Sequence, residues 1–198
     1  MSVPNKLYGI VACGGASARM GTDKGMLIYH QKPQRYHVYN LLQSVSDRVF
    51  ISCRASQAIE IEKEYEKLID LECYENSGPM ASLLTARSYY PQADFFVVGC
   101  DYPFITERDI QDFLGSIQRE KFAAAFYNSK EELYEPLLAW YSASAANLLV
   151  QFQEEKKYSL QQFLKSVGAR KYFPRDENSI KSIDTPESFA EAKASLAV

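Results

Sequence analysis

The chain has 198 residues, of which 46% are hydrophobic and 24% charged, a composition typical of a soluble globular protein with one substantial core. A formal net charge of −3 argues against general binding of nucleic acid, which needs many phosphate-neutralising Lys and Arg side chains. The N-terminus lacks a signal-peptide pattern, and no apolar run approaches the roughly 20 residues of a membrane helix. We therefore expect a cytoplasmic protein with neither nucleic acid nor membrane as a partner.

The first half of the chain alternates predicted strands with predicted helices. The strands are expected at 7–13, 47–53, 69–74 and 94–100. The helices are expected from Pro33 onward and at 55–68, 80–90 and 105–118. Pro79 opens the third helix, and Thr106 with Asp109 approximates a capping box for the fourth. This alternation predicts right-handed crossovers and an α/β sandwich of three layers, with helices on both faces of a mostly parallel sheet.

The second half is less regular. Residues 121–128 predict a strand, and 134–141 form an apolar run in which Pro136 indicates an edge strand or a strand start. Helices are predicted at 142–155 and 159–167, short strands at 169–174 and 179–183, and a closing helix at 184–197. We find no internal repeat or low-complexity linker and predict a single domain over 1–198.

The stretch VACGGASARMGTDKGML, from Val11 to Leu27, follows the first predicted strand. Adjacent glycines after a strand indicate a sharp turn or a close approach of the backbone to a ligand. Exposed amides, together with Arg19 and Lys24, would suit a phosphate. The stretch is not a P-loop, because Lys24 is followed by Gly25, and the adjacency of Gly14 and Gly15 excludes the dinucleotide fingerprint.

Asp101 directly follows the most apolar predicted strand, DFFVVGC. Taken alone, it is equally compatible with a loop or helix-capping residue. Parallel strands place their carboxyl ends at one edge, so we expect Asp101 close to the glycine loop. A carboxylate beside a phosphate needs a cation between them, and this favours Mg²⁺.

The chain contains four cysteines, Cys13, Cys53, Cys73 and Cys100, spaced too widely for a CxxC metal motif. The simplest interpretation is that they are buried small hydrophobic residues. All four fall at or near the ends of predicted strands, so parallel strands would align the thiols along one edge of the sheet. A redox or metal role is the alternative.

The motif ACGGASARMGTDKGML resembles the signature of the molybdenum cofactor guanylyltransferases, L-A-G-G-x-S-x-R-M-G-x-D-K-x-L-L. The similarity continues through QKP, SGPMAS, GCDYPFI, EPLLAWY, YSLQQFL and IDTPESF, and so covers nearly the whole chain. The resemblance implies a nucleotide-diphospho-sugar transferase-like (Rossmann-like) fold. It also implies Mg²⁺-dependent transfer of GMP from GTP to the terminal phosphate of molybdopterin, with release of pyrophosphate.

The resemblance further implies a division of labour within the chain. The N-terminal half would bind the nucleotide and the C-terminal half the acceptor. Catalytic roles fall on Arg19, Lys24 and Asp101, and metal ligation on Asp101 and Asp184. Nucleotide binding is expected from Cys13, Gly14, Gly15, Ser17, Lys24, Ser52, Cys73, Gly78, Pro79 and Asp101. Implied partners are GTP, a molybdopterin-type phosphate acceptor and, transiently, molybdenum cofactor biosynthesis or acceptor proteins.

Several positions depart from the family pattern. The acidic residue near the end of the third strand is matched by Cys73, and the second glycine of G-P-L-A-G by Ser82. Ser182 and Asp184 stand at two asparagine positions, where Asp184 is either a metal ligand or a helix N-cap. Cys13 stands where the family pattern has alanine.

Two alternative functions remain open, and Cys73 and Ser82 motivate the second of them. One is another nucleotidyltransferase, of cytidylyl or sugar-phosphate type, although the Gly14-Gly15 pair favours the guanylyl type. The other is a nucleotide-binding homologue without turnover. The residues Arg170, Lys171 and Arg175 are candidates for an acceptor-phosphate site or simply for a charged strand face.

Overall fold

The computed structural model describes residues 5–13, 23–117 and 122–196. Within them, seven strands form one sheet in the order β3-β2-β1-β4-β6-β5-β7. All neighbouring pairs are parallel except those made by β6, which runs antiparallel to β4 and to β5. The strands are β1 (Leu7–Ala12), β2 (Arg48–Cys53), β3 (Lys67–Ile69), β4 (Asp94–Gly99), β5 (Ala123–Asn128), β6 (Leu133–Tyr141) and β7 (Arg170–Tyr172).

Helices cover both faces of this sheet and complete the predicted three layers. The α-helices are α1 (Gln34–Gln43), α2 (Met80–Tyr89), α3 (Glu107–Ser116), α4 (Ala143–Glu154), α5 (Leu160–Ser166) and α6 (Pro186–Leu196). The core on one face includes Leu83 of α2, Leu149 of α4 and Phe163 of α5. The core on the other face includes Leu42 of α1 and Phe113 of α3. No helix among the described residues has the length and apolar character needed to cross a bilayer.

The central strands β1 and β4 consist mainly of apolar residues, since helices cover both faces of the sheet. Every residue of β4 is buried, and the last four residues of β1 are also buried. Continuous burial of this kind is typical of parallel strands with helices on both faces. The α3 capping box predicted from Thr106 and Asp109 is also present. The fold predicted from the sequence is therefore confirmed in its class and layers.

The predicted helix at 55–68 is wrong. This segment contains only a short 3-10 helix, Ala58–Glu60, and its end belongs to strand β3. The amide of Ile51 in β2 donates to the carbonyl of Glu66 at 2.8 Å, so the segment satisfies the edge of β2. Tyr65 stacks on Tyr36 of α1. Strand pairing and this packing override the helical spacing of the sequence.

Two smaller predictions also fail. Pro136 lies within β6, which is an internal strand rather than an edge strand. The register between β5 and β6 shifts at this point, from Ala125 opposite Ala139 to Phe126 opposite Glu135. Pro136 is tolerated because it lies in this irregular part of the pairing. The predicted strand at 179–183 is absent, since Glu177–Ile180 form a 3-10 helix.

Candidate active site

Asp101 lies just past the carboxyl end of β4, where its two carboxylate oxygens have different surroundings. The hydroxyl of Ser182 lies 3.3 Å from Oδ2. The Oδ1 atom is buried and has no hydrogen-bond partner among the described residues. Burial raises the pKa of Asp101, while the nearby Lys24 ammonium opposes that shift. A buried carboxylate oxygen without a partner is an unusual and costly arrangement, and a bound cation would satisfy it.

Gly99 makes room for this carboxylate. A Cβ atom on Gly99 would lie 2.4 Å from Asp101 Oδ1 and 3.2 Å from Leu137 Cβ. Real Cβ atoms do not approach other heavy atoms so closely, so any larger residue would displace the Asp101 side chain. The glycine therefore allows the carboxylate to fold back over the end of β4.

Lys24 and Asp184 complete the cluster around Asp101. The Lys24 ammonium pairs with Asp184 Oδ1 and lies 3.8 Å from Asp101 Oδ2. The Ser182 hydroxyl lies 3.3 Å from Asp184 Oδ2, so it contacts both carboxylates. The amide of Ile183 donates to the Asp101 carbonyl at 2.8 Å and fixes this segment against the end of β4. One ammonium and one hydroxyl thus hold two carboxylates together.

A short 3-10 helix, Lys24–Met26, carries Lys24. Asp23 caps it by accepting a hydrogen bond from the Gly25 amide, and Gln57 donates to the other Asp23 oxygen at 3.0 Å. A Cβ atom on Gly25 would lie 3.4 Å from Cys13 Sγ, so this turn packs directly against the end of β1. These contacts hold the backbone that carries Lys24.

A cavity of about 380 Å³ opens between the carboxyl ends of β1 to β3 and the start of α2. Three residues predicted to bind nucleotide, Ser52, Gly78 and Pro79, line it. Gly78 has φ +56°, a conformation that favours glycine. Among the described residues, the lining is Ala12, Ser52, Arg54, Asp70, Glu75, Asn76, Gly78, Pro79, Ala81, Ser82 and Leu137.

Asp70 is an acidic residue that the sequence analysis missed. It follows β3 directly, its side chain accepts a hydrogen bond from Ser52 Oγ at 2.8 Å, and burial raises its pKa while the Ser52 bond opposes that shift. Cys73, by contrast, is exposed in the 3-10 helix Glu72–Ser77 and is not among the residues that line the cavity. The sequence KLID contains this acidic residue directly after the strand, but the third strand was predicted two residues too late and Asp70 was therefore assigned to the strand.

The remaining predicted residues divide into two groups. Gly14, Gly15, Ser17 and Arg19 lie outside the residues that the structure describes. Cys13, Cys53 and Cys100 are buried at the carboxyl ends of adjacent strands, as predicted, whereas the prediction of burial is wrong for Cys73. The exposure of Cys73 follows from its position on the short surface helix beyond β3.

The cations considered for the acceptor phosphate already have partners in the protein. Arg170 donates to the Ser116 carbonyl, and Arg175 pairs with Asp112 at 3.2 Å. The Lys171 ammonium lies 3.9 Å from the ring centroid of Tyr127. These contacts favour the interpretation of a charged strand face.

The donors around Asp101 fit a magnesium ion. They are carboxylate and hydroxyl oxygens, and one of them is the buried Oδ1 atom, which has no hydrogen-bond partner in the part of the chain that the structure describes. In the described ranges, no group of three or more His, Cys, Asp or Glu side chains converges as a metal site. Mg²⁺ commonly takes one or two protein carboxylates and completes its octahedron with water and substrate phosphates. Asp101 with Asp184 would supply that number.

A family model described as a MobA-like NTP transferase domain matches residues 9–171, from Gly9 within β1 to Lys171 within β7, and so includes the ends of all strands that border the cavity. The chain belongs to this MobA-like NTP transferase family. It is therefore a nucleotidyltransferase. The match begins inside β1 and includes the predicted phosphate loop, Asp70 and Asp101.

Individual proteins agree with this assignment. A molybdenum cofactor biosynthesis bifunctional protein from Synechocystis is 28% identical over 186 residues, which cover 93% of this chain and 53% of that protein. A probable molybdenum cofactor guanylyltransferase from Bacillus cytotoxicus is 25% identical over 92% of this chain and 94% of its own length. The crystal structure of molybdopterin-guanine dinucleotide biosynthesis protein A from Archaeoglobus fulgidus superimposes with a TM-score of 0.79, covering 96% of this chain and 98% of that chain at 19% identity. This last similarity supports the fold.

Proposed function

We propose that this nucleotidyltransferase transfers GMP from GTP to the terminal phosphate of a molybdopterin-type acceptor. One phosphate oxygen of the acceptor attacks the α-phosphorus of GTP, the bond from that phosphorus to the bridging oxygen breaks, and pyrophosphate leaves. The observation that carries the proposal is that the Asp70 cavity and the Asp101 cluster share one edge of the sheet. This arrangement supports a base-binding cavity beside a cation site.

Asp70 is suited to recognise guanine. Guanine presents two adjacent donors, N1–H and the exocyclic amine, and a carboxylate can accept both. Adenine has an acceptor at N1, and cytosine and uracil do not present this pair of donors in the same arrangement. The Ser52 hydroxyl donates to one Asp70 oxygen and fixes the orientation of the carboxylate. The cavity volume lies within the range of small-molecule sites.

The reaction needs no general base from the protein. A phosphate monoester has a second pKa of about 6, so the attacking oxygen is already mostly ionised at neutral pH. The difficulty lies in bringing two anions together and in stabilising the departing pyrophosphate. Preorganised cations at the site address both requirements.

Lys24, together with a metal ion held by the two carboxylates, would supply these cations. Asp101 and Asp184 would hold Mg²⁺, which when bound supplies charge stabilisation to the phosphates. Lys24 now neutralises both carboxylates, and a metal at Asp101 would release its ammonium to contact the triphosphate. In this proposal Asp101 binds the metal and Lys24 binds the triphosphate.

The test is pyrophosphate release from the purified chain with Mg²⁺, each of the four NTPs and, as acceptors, molybdopterin, a sugar phosphate and no acceptor. We expect release only with GTP and molybdopterin together. Release with CTP in place of GTP, or with a sugar phosphate in place of the pterin, would indicate another nucleotidyltransferase. Binding of GTP without release under any condition would indicate a homologue without turnover.

A further inference from the structure

Three cysteines lie side by side where three adjacent strands of the sheet end. Cys53 is the last residue of β2, Cys13 follows β1, and Cys100 follows β4. All three side chains are buried. The sulfur atoms of Cys13 and Cys100 are 3.3 Å apart. The two thiols are therefore in contact, within a protein whose fourth cysteine, Cys73, is exposed elsewhere on the surface.

The backbone geometry of Cys13 and Cys100 is compatible with a disulfide. The register pairs Ala12 with Gly99, so the two cysteines occupy the next positions on neighbouring parallel strands. Neighbouring strands lie about 4.8 Å apart, which falls within the range of Cα separations seen in disulfides. An S–S bond of about 2.0 Å requires the sulfurs to approach by about 1.3 Å. Rotation of the two side chains, with a small backbone adjustment, can provide that movement.

Both cysteines adjoin parts of the candidate active site. Cys100 is bonded directly to Asp101, the proposed metal ligand. Cys13 Sγ packs beneath Gly25, the residue after Lys24, at 3.4 Å from the position of a Cβ atom on that glycine. A movement of these sulfurs by about an ångström would therefore disturb the residues next to Asp101 and Lys24 at the same time. A misplacement of about 1 Å can reduce the rate of a positioned reaction by about 100-fold.

We propose that Cys13 and Cys100 form an oxidisable dithiol site whose disulfide switches nucleotidyl transfer off. Cys13 is the more accessible of the pair, at 9% exposed against 3% for Cys100. Attack of its sulfur on hydrogen peroxide breaks the O–O bond and gives a sulfenic acid and one water. The Cys100 sulfur then attacks the Cys13 sulfur, the S–S bond forms, and the hydroxyl leaves with the Cys100 proton as a second water. The two thiols lose two electrons, and one peroxide is reduced to two waters.

The inference rests on the proposed function only for its activity readout. Formation of the disulfide is a chemical event that can be mapped whether or not the protein transfers GMP. The affinity for GTP gives a further readout that does not require turnover. Failure of the proposed function and failure of this inference are thus distinguishable.

The experiment uses the full chain carrying Cys73→Ser, which removes the exposed thiol. The protein is treated with increasing hydrogen peroxide, denatured, alkylated and mapped by peptide mass spectrometry. We expect a Cys13–Cys100 cross-linked peptide that has lost two hydrogens, with Cys53 still alkylated. Transfer should fall 10-fold or more as the cross-link accumulates and should recover with dithiothreitol. If transfer is absent from the reduced protein, weaker GTP binding by the cross-linked form is the equivalent result.

Two further variants in the same background serve as controls, each compared with its own reduced sample. Cys53→Ala should retain the cross-link and the reversible loss. Cys100→Ala should lose the Cys13–Cys100 cross-link and, with it, the fall in transfer that accompanies cross-linking. The inference is overturned if Cys13 and Cys100 stay alkylatable after oxidation, or if Cys13 pairs with Cys53. It is equally overturned if the cross-link forms while transfer and GTP affinity stay unchanged.

Discussion

The Lys24 ammonium pairs with the Asp184 carboxylate although the two residues are 160 positions apart in the chain. The pair also brings Lys24 to 3.8 Å from Asp101 Oδ2, so a cation from the β1–α1 loop lies between carboxylates from two later segments. In the described structure this ammonium stands where the proposed reaction needs a metal. Binding of a metal there would exchange one cation for the other.

Replacing Asp101 by asparagine should reduce GMP transfer by 100-fold or more, because the metal would lose its charged ligand. Folding should be unaffected or slightly stabilised, since burial raises the pKa of this carboxyl and so disfavours its charged form. Pyrophosphate release across a Mg²⁺ titration, together with thermal unfolding, would test both parts. Glu177→Gln, at a surface ion pair with Lys130, is the control with unchanged transfer. Wild-type turnover in Asp101→Asn would remove the metal assignment.

Replacing Lys24 by alanine should reduce transfer on the order of 100-fold, through loss of a preorganised cation near the triphosphate. Asp101 and Asp184 would also lose the ammonium between them, and each carboxylate would then oppose the ionisation of the other. We therefore expect Mg²⁺ to raise the melting temperature of Lys24→Ala more than that of the wild type. An equal effect of Mg²⁺ on both proteins would contradict a shared position for ammonium and metal.

Replacing Asp70 by asparagine should abolish the preference for GTP. The wild type should bind GTP with Mg²⁺ about 10-fold or more tightly than ATP, CTP or UTP, a difference of about 1.4 kcal/mol. The amide cannot accept from both guanine donors and would present a donor to one of them. Calorimetric titration of all four nucleotides measures the change. Glu75→Gln, at another carboxylate of the same cavity, should keep the preference; loss of it there instead would assign recognition to Glu75.

Replacing Gly99 by alanine should impair transfer 10-fold or more, because the new Cβ would meet Asp101 Oδ1 at 2.4 Å and displace it. The stability cost should be about 1 to 3 kcal/mol, as for other overpacking substitutions. Gly115→Ala is the matched control, since a Cβ atom there meets no described residue within 4 Å and the residue lies in α3. It should be neutral or stabilising by up to about 1 kcal/mol. Full activity in Gly99→Ala would show that Asp101 can relocate without consequence.

His37 should make the protein less stable in mild acid. Burial, with the neighbouring His30 and Lys32, lowers its pKa from 6.5 to about 4. Between these two pH values the unfolded chain binds more protons than the folded chain. The contribution of His37 to the free energy of unfolding is therefore fully present above pH 6.5 and is lost as the pH decreases toward 4. Because the side chain is only partly buried, we expect a loss of about 1 kcal/mol. Melting temperatures at pH 7.5 and 5 should differ less in His37→Gln; an equal difference would exclude His37 as the cause.

The sequence was a good guide to the central strands and to most helices. Apolar runs such as DFFVVG predict buried strands because both faces of the sheet are covered, and cap residues such as Thr106 mark where a helix begins. Prediction failed where the helical spacing of 55–68 competed with the open edge of β2. It also failed at Pro136, because a shift in register between two strands leaves no signal in one of them.

The alternation of strands and helices determined by itself that Lys24 and Asp101, which follow two parallel strands, would lie at one sheet edge, while the phosphate loop at that edge stays a prediction. Parallel strands joined by crossovers always bring their carboxyl ends together. Only the tertiary structure decided that Asp70 rather than Cys73 borders the cavity, that Asp184 reaches Lys24, and that Cys13 contacts Cys100. These contacts depend on strand order, on where a strand ends to within one or two residues, and on long-range packing. The local periodicity of a sequence carries no information on strand order, on the exact end of a strand or on long-range packing.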